Sequence, residues 1–312
     1  MSDGTGRSYD GCLDALWAIR SERADVVVLG IGESAENGEG NNPGGVKIGS
    51  AEQNAMLAAS GIALGGRTVF ISIPSSPLFV AHAYEQIRAS VAIPNLKVVI
   101  LSAHDRAALD REGASRQMWE DFALMRVMPN MTVLAPSDRN SAYMLTRALV
   151  SHDGPAYMRL SCADAPNIYG RDDADFPIGG ARLLTEGDGV TIVACGIMVS
   201  EALAASRVLA SQGINAEIID CYSVKPFPER MLVASVRRTG CCVVAEKHTR
   251  IAGLYGAVAE CLAHGYTVPT RSVAIEDNFG QSGTPKEIQE YYGLTHREIV
   301  HNVVQVWAMR RR

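Results

Sequence analysis

The chain has 312 residues, of which 47% are hydrophobic and 20% are charged, and its formal net charge is −5. This length suffices for two domains with separate cores, and the composition is ordinary for a soluble α/β protein. The acidic balance, without a basic block or a basic-aromatic stripe, argues against nucleic acid as a partner.

The remaining features of the composition favour a cytoplasmic location. The seven cysteines show no Cys-x-x-Cys spacing, and most of them lie in apolar runs, as in proteins of a reducing compartment. We see no signal peptide and no apolar run of membrane-spanning length, so no membrane partner is expected.

Strands and helices alternate through the first half of the chain. The β-branched and apolar runs predict strands at 25–29, 68–73, 97–101, 131–134 and 156–160. The segments with helical spacing lie at 13–19, 54–64, 79–91, 118–127 and 138–151. This alternation predicts a parallel sheet that is covered by helices on both faces.

A second series of the same kind follows a segment rich in Asp, Pro and Gly. Strands are predicted at 190–195, 216–221, 242–246 and 270–275, and helices at 200–212, 229–238, 253–263 and 297–306. We therefore predict an α/β chain of two tandem domains, 1–165 and 181–312, joined by a linker at 166–180. Gly187-Asp188-Gly189 resembles the start of a metal-diphosphate motif, but its position before a strand indicates a tight turn.

Glu52 lies between a Gly-rich loop at 38–45 and the predicted helix at 54–64. At a helix start, free N–H groups and the helix dipole favour an anion. Taken alone, this position is that of a glutamate that stabilises the first turn of a helix.

Six short motifs give the chain a family resemblance. They are Ala51-Glu52-Gln53-Asn54, Ala83-Tyr84-Glu85-Gln86-Ile87-Arg88, Glu120-Asp121-Phe122-Ala123-Leu124-Met125-Arg126, Asp153-Gly154-Pro155-Ala156-Tyr157, Ala245-Glu246-Lys247-His248 and Asp277-Asn278-Phe279-Gly280-Gln281-Ser282-Gly283. In this order and spacing, they resemble the pyrimidine-binding and C-terminal domains of the transketolase family. The resemblance extends from about residue 25 to the end.

The resemblance implies transfer of a two-carbon ketol unit with thiamin diphosphate and a divalent metal such as Mg²⁺. The family's diphosphate-binding domain, which carries the metal ligands, has no room before residue 25. We therefore expect the beta-type subunit of a split transketolase, with no metal ligand of its own. Its partner would be a diphosphate-binding subunit, and an α2β2 heterotetramer is expected because the family's sites form in pairs across a two-fold axis.

The resemblance also assigns cofactor-binding residues. Glu52 matches the family's glutamate, which bonds N1′ of the aminopyrimidine and so activates the cofactor. The places of the aromatic residues that stack on this ring are taken by Ser75, Leu78 and Ala81. Phe79, one position away, is a second candidate for the platform, whose loss forfeits about 0.5–1.5 kcal/mol of stacking. Arg88 ends the Ala-Tyr-Glu-Gln-Ile-Arg motif and is assigned to the cofactor as well.

Four further residues match substrate-facing positions. His104 matches a family histidine, Glu112 replaces the substrate-hydroxyl Asp, Arg116 replaces a His, and Cys162 stands where many members carry a phosphate-binding Arg. His104 could instead be an ordinary loop histidine, and Arg116 could be either a solvated residue or a ligand for an anionic group. These departures predict a non-standard donor or acceptor in a specialised biosynthetic pathway.

Two other functions remain open. The beta subunit of a thiamin-dependent 2-oxoacid dehydrogenase shares the two-domain layout, although the Ala-Glu-Gln-Asn motif favours a transketolase. A non-catalytic scaffold or regulatory subunit is the second alternative. In the C-terminal half, His248, Asp277 and Ser282 are expected to serve packing and the subunit interface.

Overall fold

The computed structural model describes residues 4–31, 46–48, 51–73, 78–104, 113–171 and 175–310, apart from the side chains of Ile31, Lys47 and Ile73. Its strands, in chain order, are β1 Thr5–Gly6, β2 Val26–Ile31, β3 Val46–Ile48, β4 Thr68–Ile73, β5 Val98–His104, β6 Thr132–Leu134, β7 Ala156–Ser161, β8 Ala165–Pro166, β9 Arg182–Thr185, β10 Val190–Ala194, β11 Ala216–Asp220, β12 Ser223–Lys225, β13 Cys242–Thr249 and β14 Thr270–Ile275.

The helices surround these strands. In chain order they are α1 Ser8–Glu22, α2 Glu52–Leu64, α3 Phe79–His82, α4 Tyr84–Gln86, α5 Asp121–Arg126, α6 Arg139–Val150, α7 Met198–Ser211, α8 Glu229–Thr239, α9 Leu254–Gly265, α10 Pro285–Tyr291 and α11 His296–Ala308. A π-helical turn follows α4 at Ile87–Ala92, and a 3₁₀ turn lies at Gly113–Ser115. None of the described helices has the length and apolarity that a bilayer crossing requires.

The first sheet contains seven strands in the order β12-β6-β7-β5-β4-β2-β3. Six of them are parallel, and β12 pairs antiparallel with β6 at one edge. Its central strands are apolar runs; every residue of β5 is buried, as expected for a parallel sheet with both faces covered. Because the strands are parallel, β5 and β7 end at the same edge as β3, the strand that precedes α2.

The second sheet has the order β14-β13-β10-β11-β9. Strands β10, β11, β13 and β14 are parallel, whereas β9 runs antiparallel to β11. The predicted class, two tandem and mostly parallel sheets flanked by helices, is confirmed. The segment at 187–189 lies in a bend just before β10, where Gly189 N–H donates to the Asn215 carbonyl.

The two sheets are closely joined. One continuous core combines apolar residues of both, among them Phe122 and Met125 from α5 and Val193, Val244 and Leu254 from the second half of the chain. Strand β12 belongs by sequence to the second half but pairs with the first sheet. Side chains at the facing edges of the two sheets can therefore form one site.

Two predicted helices differ from the structure. The helix expected at 79–91 is broken at Ala83, whose ψ of 18° leaves the α region, and it continues as α4 and a π-helical turn. The helix expected from 118 begins at Asp121. Residues 117 and 118 instead lie buried beside the second half of the chain, and the Gln117 amide donates to the Gln281 carbonyl.

Candidate functional site

Glu52 lies at a helix start, as predicted, but α2 begins at Glu52 itself, two residues before the predicted start at 54, and the Glu52 side chain is 27% exposed. His82 Nδ1 lies 3.8 Å from the Glu52 carboxylate. Gln53 Nε2 donates to the His82 carbonyl at 3.1 Å, so the start of α2 is fixed beside α3. The structure thus places a partly exposed acceptor next to the segment expected to face the cofactor ring.

The aromatic platform requires a correction. Phe79 is 1% exposed and packs in the core that contains Met56 and Ala59 of α2, so its ring has no open face for a ligand. Leu78 is half-buried and packs at the border of that core. Of the two candidates, Leu78 is therefore the one whose position leaves part of the side chain at the surface.

The other predicted site residues differ in their position and exposure. Arg88 lies exposed on the π-helical turn, and Arg116 lies exposed after the 3₁₀ turn. Cys162 is half-buried, and its N–H donates to the His104 carbonyl at 2.8 Å, so these two residues are neighbours. Ser75 and Glu112 lie outside the described residues. Glu52 and His104 lie at the same edge of the first sheet. Glu52 follows β3 and His104 ends β5, and these two strands are three strand spacings apart, about 14 Å.

His104 ends β5 and is buried, at 5% exposure. It borders a pocket between the two sheets that is lined by Arg159 and Ser161 from β7, by the Cys195–Ile197 turn and by Lys247 from β13. The pocket therefore lies where carboxyl ends of strands from both sheets meet, a common place for ligand sites in parallel sheets.

A buried polar network surrounds His104. Tyr157 O–H donates to Asp121 Oδ2 at 2.5 Å, and Arg159 Nε lies 3.4 Å from the same oxygen. Burial raises the pKa of Asp121, while the Arg159 charge and the Tyr157 hydroxyl oppose this rise. Burial, together with the charges of Arg159 and Lys247, holds the pKa of His104 well below its usual range. His104 is therefore neutral, and its 3.5 Å approach to Asp121 is not an ion pair.

His248 and Glu246 are fully buried and bond to the backbone. His248 Nδ1 lies 2.6 Å from the Thr249 carbonyl, and its ring stacks on Phe122 at 5.0 Å. The Glu246 carboxylate accepts the N–H groups of Leu254 and Tyr255 at the start of α9. These contacts anchor α9 and α5 to β13.

Sequence reasoning missed the roles of Asp121, Tyr157, Arg159 and Lys247. A signal was present, because Arg159 interrupts a strand that was predicted to be buried, and a buried charge requires partners. The identity of those partners depended on the packing of the two sheets against each other. Within the described ranges, no three His, Cys, Asp or Glu side chains are grouped in a way that could hold a metal ion.

Two family models match the chain. Residues 42–166 match the transketolase pyrimidine binding domain, and residues 179–299 match the transketolase C-terminal domain. The 6-deoxy-6-sulfo-D-fructose transketolase subunit of a Clostridium species is 38% identical, over 84% of this chain and 80% of its own length. An apulose-4-phosphate transketolase subunit from Phocaeicola vulgatus is 32% identical, over 83% of each chain.

Solved structures give a similar result. A split gene transketolase, described as an inactive beta4 tetramer, is 35% identical and superimposes with a TM-score of 0.89 over 99% of this chain and 100% of its own. A transketolase variant from Pichia stipitis is 19% identical, with a TM-score of 0.79. The match to it covers 98% of this chain but 46% of the Pichia enzyme, whose likeness shows the fold alone.

Proposed function

The chain belongs to the transketolase family, and from this premise we propose that it is the C-terminal, beta-type subunit of a split transketolase-like enzyme. The reaction is transfer of a two-carbon ketol unit, with thiamin diphosphate as cofactor. The proposal includes the division into a pyrimidine-binding domain at 1–165, a linker at 166–180 and a C-terminal domain at 181–312. It also includes a cytoplasmic location, which suits a chain with seven cysteines and no Cys-x-x-Cys spacing.

The observation that carries this proposal is the correspondence with subunits of split enzymes. The chain spans at least 80% of two relatives that are named as transketolase subunits. The similar split gene transketolase is described as an inactive beta4 tetramer. By analogy, this chain requires a second subunit that holds the diphosphate and Mg²⁺, in a heterotetramer of two chains of each kind.

The described residues fit one end of the cofactor. Glu52 has a partly exposed carboxylate, and the nearby His82 Nδ1, 3.8 Å away, is beyond hydrogen-bond distance. In the proposed role, the Glu52 carboxyl holds the proton that it shares with N1′ of the aminopyrimidine, while Leu78 packs on the ring. Ser75 and Arg88 are the remaining proposed contacts. Thiamin diphosphate, when bound, supplies the electron sink for the transferred carbanion.

The substrate is proposed to differ from the standard sugar phosphates. Cys162 lies beside His104 where many family members carry an arginine, so the wall of the site has lost a cation. The Clostridium and Phocaeicola relatives are named for sulfofructose and apulose phosphate, which are also unusual sugars. His104, Glu112 and Arg116 complete the proposed substrate wall.

The scaffold alternative is tested by Glu52→Gln in the complete complex. The amide cannot hold the shared proton, so we expect turnover to fall about 100-fold or more, a typical size for loss of an acid-base group. The matched control is Glu229→Gln, because Glu229 is also a first-turn glutamate, in α8. A helix-start role predicts small and equal effects of both changes on stability and none on turnover, and this outcome would contradict the proposal.

A further inference from the structure

Arg159 joins the two sheets through several contacts at once, and its side chain is 9% exposed. Nη1 donates to the Lys247 carbonyl at 2.6 Å, and Nη2 contacts His104 Nδ1 at 3.2 Å and the Met118 carbonyl at 3.4 Å. The guanidinium also lies over the Phe122 ring, 4.8 Å from its centroid. A planar guanidinium can make several fixed contacts of this kind at once, whereas an ammonium cannot.

The contact with Arg159 determines which nitrogen of His104 carries the proton. A guanidinium only donates, so His104 Nδ1 must accept and the ring proton must lie on Nε2. The Tyr157 oxygen lies 3.4 Å from Nε2 and can accept that proton, because the Tyr157 hydroxyl itself donates to Asp121. One directed chain of hydrogen bonds therefore runs from Arg159 through His104 and Tyr157 to Asp121.

The surroundings of His104 keep the ring neutral as well as oriented. Burial opposes the protonation of His104 most strongly, and the charges of Arg159 and Lys247 add to this effect. Asp121 is the nearest acid, but it is already bonded by Tyr157 and approached by Arg159. His248 also faces this cluster, with Nε2 3.8 Å from Asp121 Oδ1 and with its own pKa held well below the usual range by burial.

We propose that Arg159 is a positioning residue that fixes His104 as a neutral ring with its proton on Nε2 and holds this ring against β13 of the second sheet. Through the Lys247 carbonyl, the C-terminal half of the chain thereby sets the geometry of a residue in the pyrimidine-binding half. The inference rests on the proposed function only for the role of His104 in contacting substrate. The arrangement of hydrogen bonds can be tested on this chain alone.

The experiment is nitrogen NMR of histidine-labelled protein over a range of pH, with the His104 signals assigned by a His104→Gln variant. In the wild type, we expect Nδ1 to be an unprotonated acceptor and Nε2 to carry hydrogen, without protonation at pH 5. In Arg159→Met, we expect a mixture of tautomers and a pKa higher by about one unit or more, because a cation has been removed. Arg159→Lys should give an intermediate spectrum.

The matched control is Arg126→Met. Arg126 also joins the two halves, donating to the carbonyls of Ala252 and Gly253, but it does not contact His104. The Arg126→Met substitution should lower the stability of the protein without changing the His104 signals. A wild-type spectrum with the proton on Nδ1, or equal His104 titrations in Arg159→Met and Arg126→Met, would overturn the proposal. Because no outcome depends on turnover, failure of the proposed enzyme activity would be seen separately.

Discussion

At the scale of single residues, Glu52 and Phe79 have different surroundings, since the Glu52 side chain is 27% exposed whereas that of Phe79 is buried. Glu52 was predicted at a helix start, and it is the first residue of α2. Phe79 was misplaced as a possible platform because a one-position shift decides whether a side chain faces the core or the surface. The hydrogen-bond partners of Arg159 lie 41, 55 and 88 residues away, and no local pattern could identify them.

Asp220 provides a prediction about stability and pH. It is fully buried and accepts hydrogen bonds from Ser137 and Tyr169, and burial raises its pKa to about 7. The folded state therefore keeps a proton that the unfolded chain loses near pH 4. This stabilisation is complete below pH 4 and is lost as the pH rises through 7, at about 1.4 kcal/mol per pH unit.

Asp220→Asn should remove this contribution, since an amide does not ionise. The free energy of unfolding, measured by urea titration, should fall between pH 5 and pH 7 in the wild type. In the variant, we expect this fall to be smaller by about 2–3 kcal/mol. Other buried groups also titrate: the pKa of Glu246 is raised to about 7, and those of His104 and His248 are lowered. Their contributions to the pH dependence are the same in both proteins and cancel in the comparison. Equal pH dependence of the two proteins would show that Asp220 ionises normally.

The substrate wall gives a second prediction at this scale. Restoring both family residues, Arg116→His together with Cys162→Arg, should raise kcat/KM of the complete complex for ordinary sugar phosphates. A guanidinium at 162 would lie beside His104 and could bind a phosphate by two hydrogen bonds. The single variants serve as controls. If the double variant leaves sugar-phosphate turnover unchanged, residues 116 and 162 do not set the substrate class.

At the scale of elements, the long apolar strands and the amphipathic helices were predictable because each carries its own periodic pattern. Helix α6 also carried its own start signal, since Asp138 and Ser141 form a reciprocal cap. Strands β9 and β12 are three or four residues long and become strands only by pairing with β11 and β6. Lys225 on β12 donates to the Arg126 and Met128 carbonyls, contacts that depend on the tertiary structure.

The loop at 277–283 supports a prediction at this scale. It packs against the segment at 113–117, and a Cβ on Gly280 would clash with the Gln117 side-chain oxygen. Gly280→Ala should therefore force the two segments apart and lower the free energy of unfolding by about 1–3 kcal/mol, as overpacking does. Gly265→Ala, at the end of α9, meets nothing within 4 Å and is the control. Equal stability of the two variants would show that the loop yields freely.

At the scale of the whole molecule, the two sheets share one core and line one pocket. The sequence could predict two α/β domains, because each has its own series of strands. It could not predict that Arg159, His104 and Lys247 meet between them, since this depends on how the domains dock. Glu52 lies partly exposed at the carboxyl edge of the first sheet, where the proposed cofactor could reach it.

The central claim, that this chain is one subunit of a two-chain transketolase-like enzyme, is tested most directly by the native mass of the protein purified gently from its own host. We predict a stoichiometric second chain with a Gly-Asp-Gly metal-diphosphate motif, a mass equal to two chains of each kind, and thiamin diphosphate in the complex. A homo-oligomer that has no partner and binds no thiamin diphosphate would contradict the account and favour a non-catalytic scaffold.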